Sequence, residues 1–215
     1  MSSARKLIVA ALFVAGCASH AVRPDDESAE AHRAEAARAR AEAAKHTQQY
    51  DPKAVAEEST SAGRRFDLPD DVRTYNPTAW HLREAHKDSA HAKAHEAAAA
   101  QLEAFEAEEC RAFAPKVRSA CPVGGPVARV EDLRNGVRLV LADNAPVGAV
   151  LAHMRCHLAW ARTRGFEKLP GCPVYVKGID IHASSDGKSI EITSTDSSVV
   201  HLIQQRSHEE NATTA

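Results

Sequence analysis

The sequence predicts an α+β protein in which an Ala-rich helical stalk precedes a small two-layer domain of order ββαββα. The stalk is predicted because residues 27–49 and 76–113 are rich in Ala, Glu, Lys, Arg and His, which suit helices. The domain is predicted because β-prone runs begin after Pro126 and flank two turn dipeptides, Asn135-Gly136 and Asp186-Gly187. Aromatic residues make up 5% of the chain, which favours a small core with an extended portion.

The first element is a leader. Arg5 and Lys6 precede an apolar run over residues 7–15, which is shorter than the roughly 20 residues of a membrane-spanning helix. A charged start, a short apolar core and small residues at its end are typical of a secretory signal peptide. The run ends in Val-Ala-Gly-Cys, which resembles the lipobox of bacterial lipoproteins. The resemblance implies that residues 1–16 are removed and that Cys17 is lipidated; an ordinary signal peptide is the alternative.

This resemblance also implies a location and partners. Ala18 follows Cys17, where inner-membrane lipoproteins often carry Asp, so we expect a lipid anchor in the outer membrane and a periplasm-facing protein. The chain has 27 basic and 29 acidic side chains, and residues 1–16 hold two basic and no acidic ones. The remaining 25 and 29 give a net charge of −4 with His neutral, which argues against a nucleic-acid partner. The expected partners are the membrane, through the lipid, and an envelope protein.

Residues 17–75 are predicted to form a tether, a charged helix and a linker. The helix covers residues 27–49, with Asp25 or Asp26 as its N-cap. It contains no Leu, Ile, Val or aromatic residue, so we expect a helix held by propensity and charge pairs that frays. The next segment, residues 76–115, is predicted to be one long helix with Pro77 in its first turn.

Residues 116–208 are predicted to form the small domain. Its first helix, capped by Asp143 or Asn144, includes Pro146 and runs to Arg164, with Gly165 as the stop. Its second helix runs from Ser197 to His208, with Thr195 or Asp196 as the cap. Its hairpins pair the following runs: 127–133 with 137–142, and 178–184 with 189–195. The polar tail, residues 209–215, is predicted to be disordered.

Four cysteines besides Cys17 are expected to form disulfides, because an exported chain reaches an oxidising compartment. On the predicted helix after the first hairpin, the apolar side chains share one arc and Cys156 points away from it. The segment after that helix could bring Cys172 back over the outer face. We therefore expect a Cys156–Cys172 bridge and, by elimination, a Cys110–Cys121 bridge. A metal-binding thiolate or a free buried thiol at Cys156 are the alternatives.

Two sets of side chains are candidate metal ligands. His153 and His157 lie four residues apart on one helix face, beside Cys156, and could bind copper or zinc. A second set lies on the long helix at spacings of 4, 3 and 4 residues, and it comprises Glu84, Asp88, His91 and His95. The alternative for this second set is the solvated face of a charged helix.

The doublet Cys156-His157 followed by Cys172-Pro173 resembles a group of envelope lipoproteins, and this resemblance implies no particular activity. The sequence contains no phosphate-binding loop, nucleophile elbow or paired-carboxylate motif. We therefore expect a non-enzymatic binding or scaffold module without a resident cofactor. The alternative is a periplasmic copper- or zinc-binding protein that uses His91 and His95, or His153 and His157.

Overall fold

The computed structural model describes residues 22–25, 27–54 and 76–214. The leader, Cys17 and most of the predicted linker lie outside these residues. The predicted fold class is confirmed: two long N-terminal helices pack together, and a four-stranded antiparallel sheet with helices follows. Within the described ranges, no helix is both long enough and apolar enough to cross a membrane.

The first two helices form an antiparallel hairpin. Helix α1 covers Ala29–Gln49 and helix α2 covers Ala79–Glu109. The N-cap of α1 is Ser28 rather than an aspartate, and its Oγ accepts a hydrogen bond from the Ala31 N–H at 3.2 Å. The two helices bury a row of alanines between them: Ala29, Ala36, Ala39 and Ala43 from α1, and Ala85, Ala92, Ala98 and Ala99 from α2.

This packing differs from the predicted unpartnered helix. Alanine side chains are small enough for the two helix backbones to approach closely, so α1 is supported along its length without large apolar residues. The chain is also fastened where the hairpin turns. The Asp51 carbonyl accepts hydrogen bonds from Asn76 Nδ2 at 2.7 Å and from Thr78 Oγ1 at 3.1 Å.

The long helix is shorter at both ends than the predicted residues 76–115. Pro77 precedes α2, because Thr78 is the N-cap, and Cys110 caps the other end before Phe113. A short helix that the sequence did not predict, α3, follows at Pro115–Arg118.

The sheet contains both predicted hairpins. Strands β1 and β2 cover Val127–Leu133 and Gly136–Leu141, and strands β3 and β4 cover Asp180–Ala183 and Ser189–Thr193. The strand order is β1-β2-β4-β3, with every neighbouring pair antiparallel. A Cβ atom at Gly136 would lie 1.9 Å from the Ile192 carbonyl oxygen, so glycine permits the close approach of β2 and β4 there.

Two helices cover one face of the sheet. Helix α4 covers Val147–Arg164 and helix α5 covers Ser197–Thr214. Their apolar side chains meet those of the central strands in one core that includes Met154, Leu158 and Ile203 from the helices and Val137, Leu139, Ile190 and Ile192 from the strands. The other face carries ion pairs, among them Arg138 with Glu191 at 2.9 Å. This burial of one face gives the two-layer arrangement.

The helix ends agree only in part with the prediction. The predicted N-cap of α4, Asp143 or Asn144, is wrong, because the helix begins at Val147 with Pro146 as its N-cap. Gly165, with φ of 95°, ends the helix as predicted. Asp196 accepts from the Ser198 N–H at 2.8 Å and caps α5 as predicted. Helix α5 continues to Thr214, so most of the predicted tail is helical. His208 Nε2 lies 3.0 Å from Asp132 Oδ1 and supports this extension.

Candidate functional site

All four predicted cysteines form disulfides, but the predicted pairing is wrong. Cys110 is bonded to Cys156, and Cys121 is bonded to Cys172. The C-terminal end of α2 packs on the outer face of α4, so it is Cys110, rather than the returning segment, that covers Cys156. Cys110 and Cys156 are both completely buried.

The oxidised state decides two questions raised by the sequence. Cys156 has no thiolate, so the predicted alternative of a metal-binding or free thiol at this position is also wrong. The two disulfides indicate an oxidising, extracytoplasmic location, because such bonds persist there and are rare in the cytosol.

His153 and His157 do share a face of α4, but both serve the contact with α3. His153 Nε2 lies 3.1 Å from the Val117 carbonyl oxygen, and His157 Nδ1 lies 2.8 Å from the Arg118 carbonyl oxygen. Since a carbonyl only accepts, these ring nitrogens must donate, and neither can bind a metal while it does so. His157 is completely buried, and its burial lowers its pKa against the opposing effect of the bond to Arg118. The two histidines therefore hold α3 through one ring nitrogen each, and neither belongs to a group of three possible metal ligands among the described residues.

The second predicted set does not form one cluster either. His91 is exposed, whereas His95 is buried against α1. Glu84 is paired with Lys87 at 3.2 Å on the surface of α2. Among the residues that the structure describes, one group of three possible metal ligands is close enough to share an ion, and it joins His95 to Glu27 and His32.

This group lies between the two helices of the hairpin. The Nδ1 atoms of His32 and His95 are 2.9 Å apart, and a carboxylate oxygen of Glu27 lies within 4.8 Å of a nitrogen of each ring. His32 is 0% exposed and His95 is 7% exposed, whereas Glu27 lies at the surface, just before the N-cap of α1. Burial lowers the pKa of His95, and the neighbouring rings of His91 and His32 lower it further. At this 2.9 Å contact one Nδ1 donates and the other accepts, so at least one of the two rings is neutral.

A second histidine pair occupies the same interface. The Nδ1 atoms of His46 and His81 are also 2.9 Å apart, and the ring of Trp80 lies 3.6 Å from the His81 ring, centroid to centroid. Desolvation and the proximity of His46 lower the pKa of His81. This pair has no third ligand among the described side chains.

Sequence reasoning assigned His95 as a ligand but missed its partner. The signal was present: His32 and His46 are 14 residues apart, as are His81 and His95. Fourteen residues are close to four helical turns, so each pair of histidines lies on one face of its helix. In an antiparallel hairpin, this equal spacing lets both pairs meet in the same register.

Comparison with models of protein families, with curated proteins and with solved structures finds no match for this chain. The functional assignment therefore rests on the residues and contacts above.

Proposed function

We propose that the chain is a lipid-anchored protein of the bacterial cell envelope that acts as a non-enzymatic binding or scaffold module facing the periplasm. The observation that carries this proposal is the pair of disulfides, which belongs in an oxidising compartment and agrees with an exported chain. In this proposal Cys17, at the end of the Val-Ala-Gly-Cys stretch, carries the lipid anchor. Several acyl chains on this residue would give stable membrane binding, which a single chain does not.

The described fold suits a rigid module. The Cys110–Cys156 bridge ties the end of α2 to α4, and Arg164 Nη1 lies 3.3 Å from Glu30 Oε1 at the start of α1. The hairpin is therefore held to the domain by a covalent bond and by side-chain contacts. A module of this kind presents a fixed surface to a partner without needing a catalytic group.

Metabolic labelling with radioactive palmitate tests the anchor. The full chain should take up label and fractionate with the outer membrane, whereas Cys17→Ser should lose both the label and globomycin-sensitive processing. Ala18→Asp is the matched variant: it should keep the label and move to the inner membrane. An unlabelled natural chain that is recovered free in the periplasm would show that the leader is an ordinary signal peptide.

The alternative function, copper or zinc binding, is favoured by one observation, the buried contact between His32 and His95 beside Glu27. Of the predicted ligands, His95 belongs to this group, whereas His91, His153 and His157 belong to no group of three possible ligands among the described residues. Metal titration of the full chain and of variants at His32, His95 and Glu27 tests this alternative.

A further inference from the structure

We propose that His32, His95 and Glu27 bind one divalent transition-metal ion, for which Zn²⁺ is the probe, and that this ion joins α1 to α2. The proposal goes beyond the envelope module and depends neither on the lipid nor on a partner. Two imidazoles and one carboxylate are a known protein ligand set for zinc, and this set leaves the fourth tetrahedral position open. The three side chains come from both sides of the hairpin and already lie within 4.8 Å of one another.

The geometry needs little adjustment. Zinc–nitrogen bonds are about 2.0–2.1 Å long, so two nitrogens on one tetrahedral ion lie about 3.3–3.4 Å apart. The Nδ1 atoms of His32 and His95 are 2.9 Å apart, so a separation of about 0.4 Å, together with a turn of both rings towards a common point, would give the spacing of two ligands on one ion. Glu27 precedes the helix and is exposed, so its side chain can close on the ion without moving α1.

The environment of His32 supports a role beyond packing. Its Nε2 atom is buried and has no hydrogen-bond partner among the described residues. A buried polar atom without a partner weakens a fold, and most of the small side chains around this pair are alanines, which have no polar side-chain atom. The polar contact of His32 is therefore through Nδ1 to His95, and an ion bound there would add coordinate bonds that replace a single hydrogen bond.

The ionisable side chains next to the proposed site contact one another, so we do not include them among its ligands. His91 Nε2 lies 3.9 Å from Glu35 Oε1 at the surface, and Glu35 also pairs with Arg38. The ring of His91 meets the His95 ring edge-on at 4.6 Å, so it supports the position of His95 rather than sharing its nitrogen. His91 is therefore a matched control for His95 on the same helix.

The His46–His81 pair provides a second control within the same interface. It has the same 2.9 Å separation of Nδ1 atoms but lacks a carboxylate within reach among the described residues. Two imidazoles alone hold an ion more weakly than three ligands do. We therefore expect one tight site in the chain, at the end of the hairpin next to the domain.

The experiment titrates the full chain, exported and purified in detergent, with Zn²⁺ against a competing chelator, and with Co²⁺ followed by visible absorption. The natural chain should bind one equivalent and show the strong d–d bands of tetrahedral cobalt. His95→Ala and His32→Ala should each weaken zinc binding at least 100-fold, and Glu27→Gln should weaken it about tenfold. His91→Ala and His81→Ala should bind within about threefold of the natural chain.

Circular dichroism checks that each variant keeps its helices, and alanine suits both histidine positions because several neighbouring interface residues are alanines. Tight binding that survives His95→Ala, or that is lost equally in His91→Ala, would overturn the assignment. Several weak equivalents that no variant changes would show adventitious surface binding only and would overturn it too. Failure of this site would leave the lipid-anchored module intact, since the palmitate experiment does not involve metal.

Discussion

Removal of the Cys110–Cys156 bridge should destabilise the protein strongly. The double variant Cys110→Ala/Cys156→Ala frees the C-terminal end of α2 from α4 and leaves the second bridge in place. Both sulfur atoms belong to completely buried residues, so the variant also loses packing at the junction of the hairpin and the domain. The dominant effect is the added conformational freedom of the unfolded chain.

The magnitude follows from how the two bridges interlace. They join residues 46 and 51 positions apart, and each bridge has one cysteine inside the loop of the other. With one bridge closed, the shortest covalent path between the other two cysteines runs through it and covers about 27 residues. The loop-closure relation gives roughly 3.5 kcal/mol for a loop of that size, and about 4 kcal/mol for the bridge that remains. Either single removal should therefore cost about 3.5 kcal/mol, and removal of both about 7.5 kcal/mol.

Urea unfolding followed by circular dichroism measures this loss. With a slope of about 2 kcal/mol/M, the unfolding midpoint should fall by roughly 1.5–2 M. The matched variant Cys121→Ala/Cys172→Ala should show a similar fall, because its closing path is the same length. If the midpoint of either variant decreases by less than about 0.5 M, the reasoning is refuted, since removal of a bridge that constrains the unfolded chain must cost more stability than that.

The pairing itself can be read from peptides. Tryptic digestion without reduction should link residues 94–111 to residues 156–162, and residues 119–129 to residues 169–177. A link between residues 94–111 and 119–129 would instead support the pairing expected from the sequence.

Three further changes test other parts of the fold. Gly136→Ala should lower the free energy of unfolding by about 3 kcal/mol, because its Cβ would meet the Ile192 carbonyl; a urea midpoint near that of the natural chain would contradict this. Burial lowers the pKa of His157, so the unfolded chain binds this proton more readily than the folded protein does. The contribution of neutral His157 to the free energy of unfolding is therefore complete above about pH 6.5 and is lost as the pH falls towards the pKa in the folded protein. His157→Leu should therefore reduce the dependence of the urea midpoint on pH between pH 7 and pH 5. If the midpoint of this variant depends on pH as that of the natural chain does, His157 is not the group that titrates. Ala99→Leu should force the hairpin helices apart and cost about 2 kcal/mol in the same assay, whereas an exposed Ala100→Leu control should change stability little.

The sequence predicted those parts of the fold that depend on local signals. The strands around Asn135-Gly136 and Asp186-Gly187 were predicted correctly, because a turn that needs these residues also fixes where its strands begin. The end of α4 at Gly165 was predicted for a similar reason. In each case the deciding interactions lie within a few residues along the chain.

The parts that were missed depend on contacts between distant segments. Alanine gives no contrast between a buried and an exposed face, so the partner of α1 could not be identified from apolar periodicity. The disulfide pairing depends on which element covers Cys156, and that element, the end of α2, is 46 residues away. His95 could be predicted as a candidate ligand from its own helix, but His32 is 63 residues away and becomes its neighbour only when the hairpin closes.

The doubling back of α2 on α1 has a mechanical consequence. The start of α1 lies beside the domain, where Glu30 meets Arg164, and the turn of the hairpin lies at the far end of α1, about 30 Å away for a helix of 21 residues. A force applied through residues that precede α1 would enter at the domain end of the hairpin, next to the Cys110–Cys156 bridge. It would not pass through the far end of the hairpin. The load would therefore be carried by the domain end of the hairpin, and the part of α1 near Gln49 would stay outside its path.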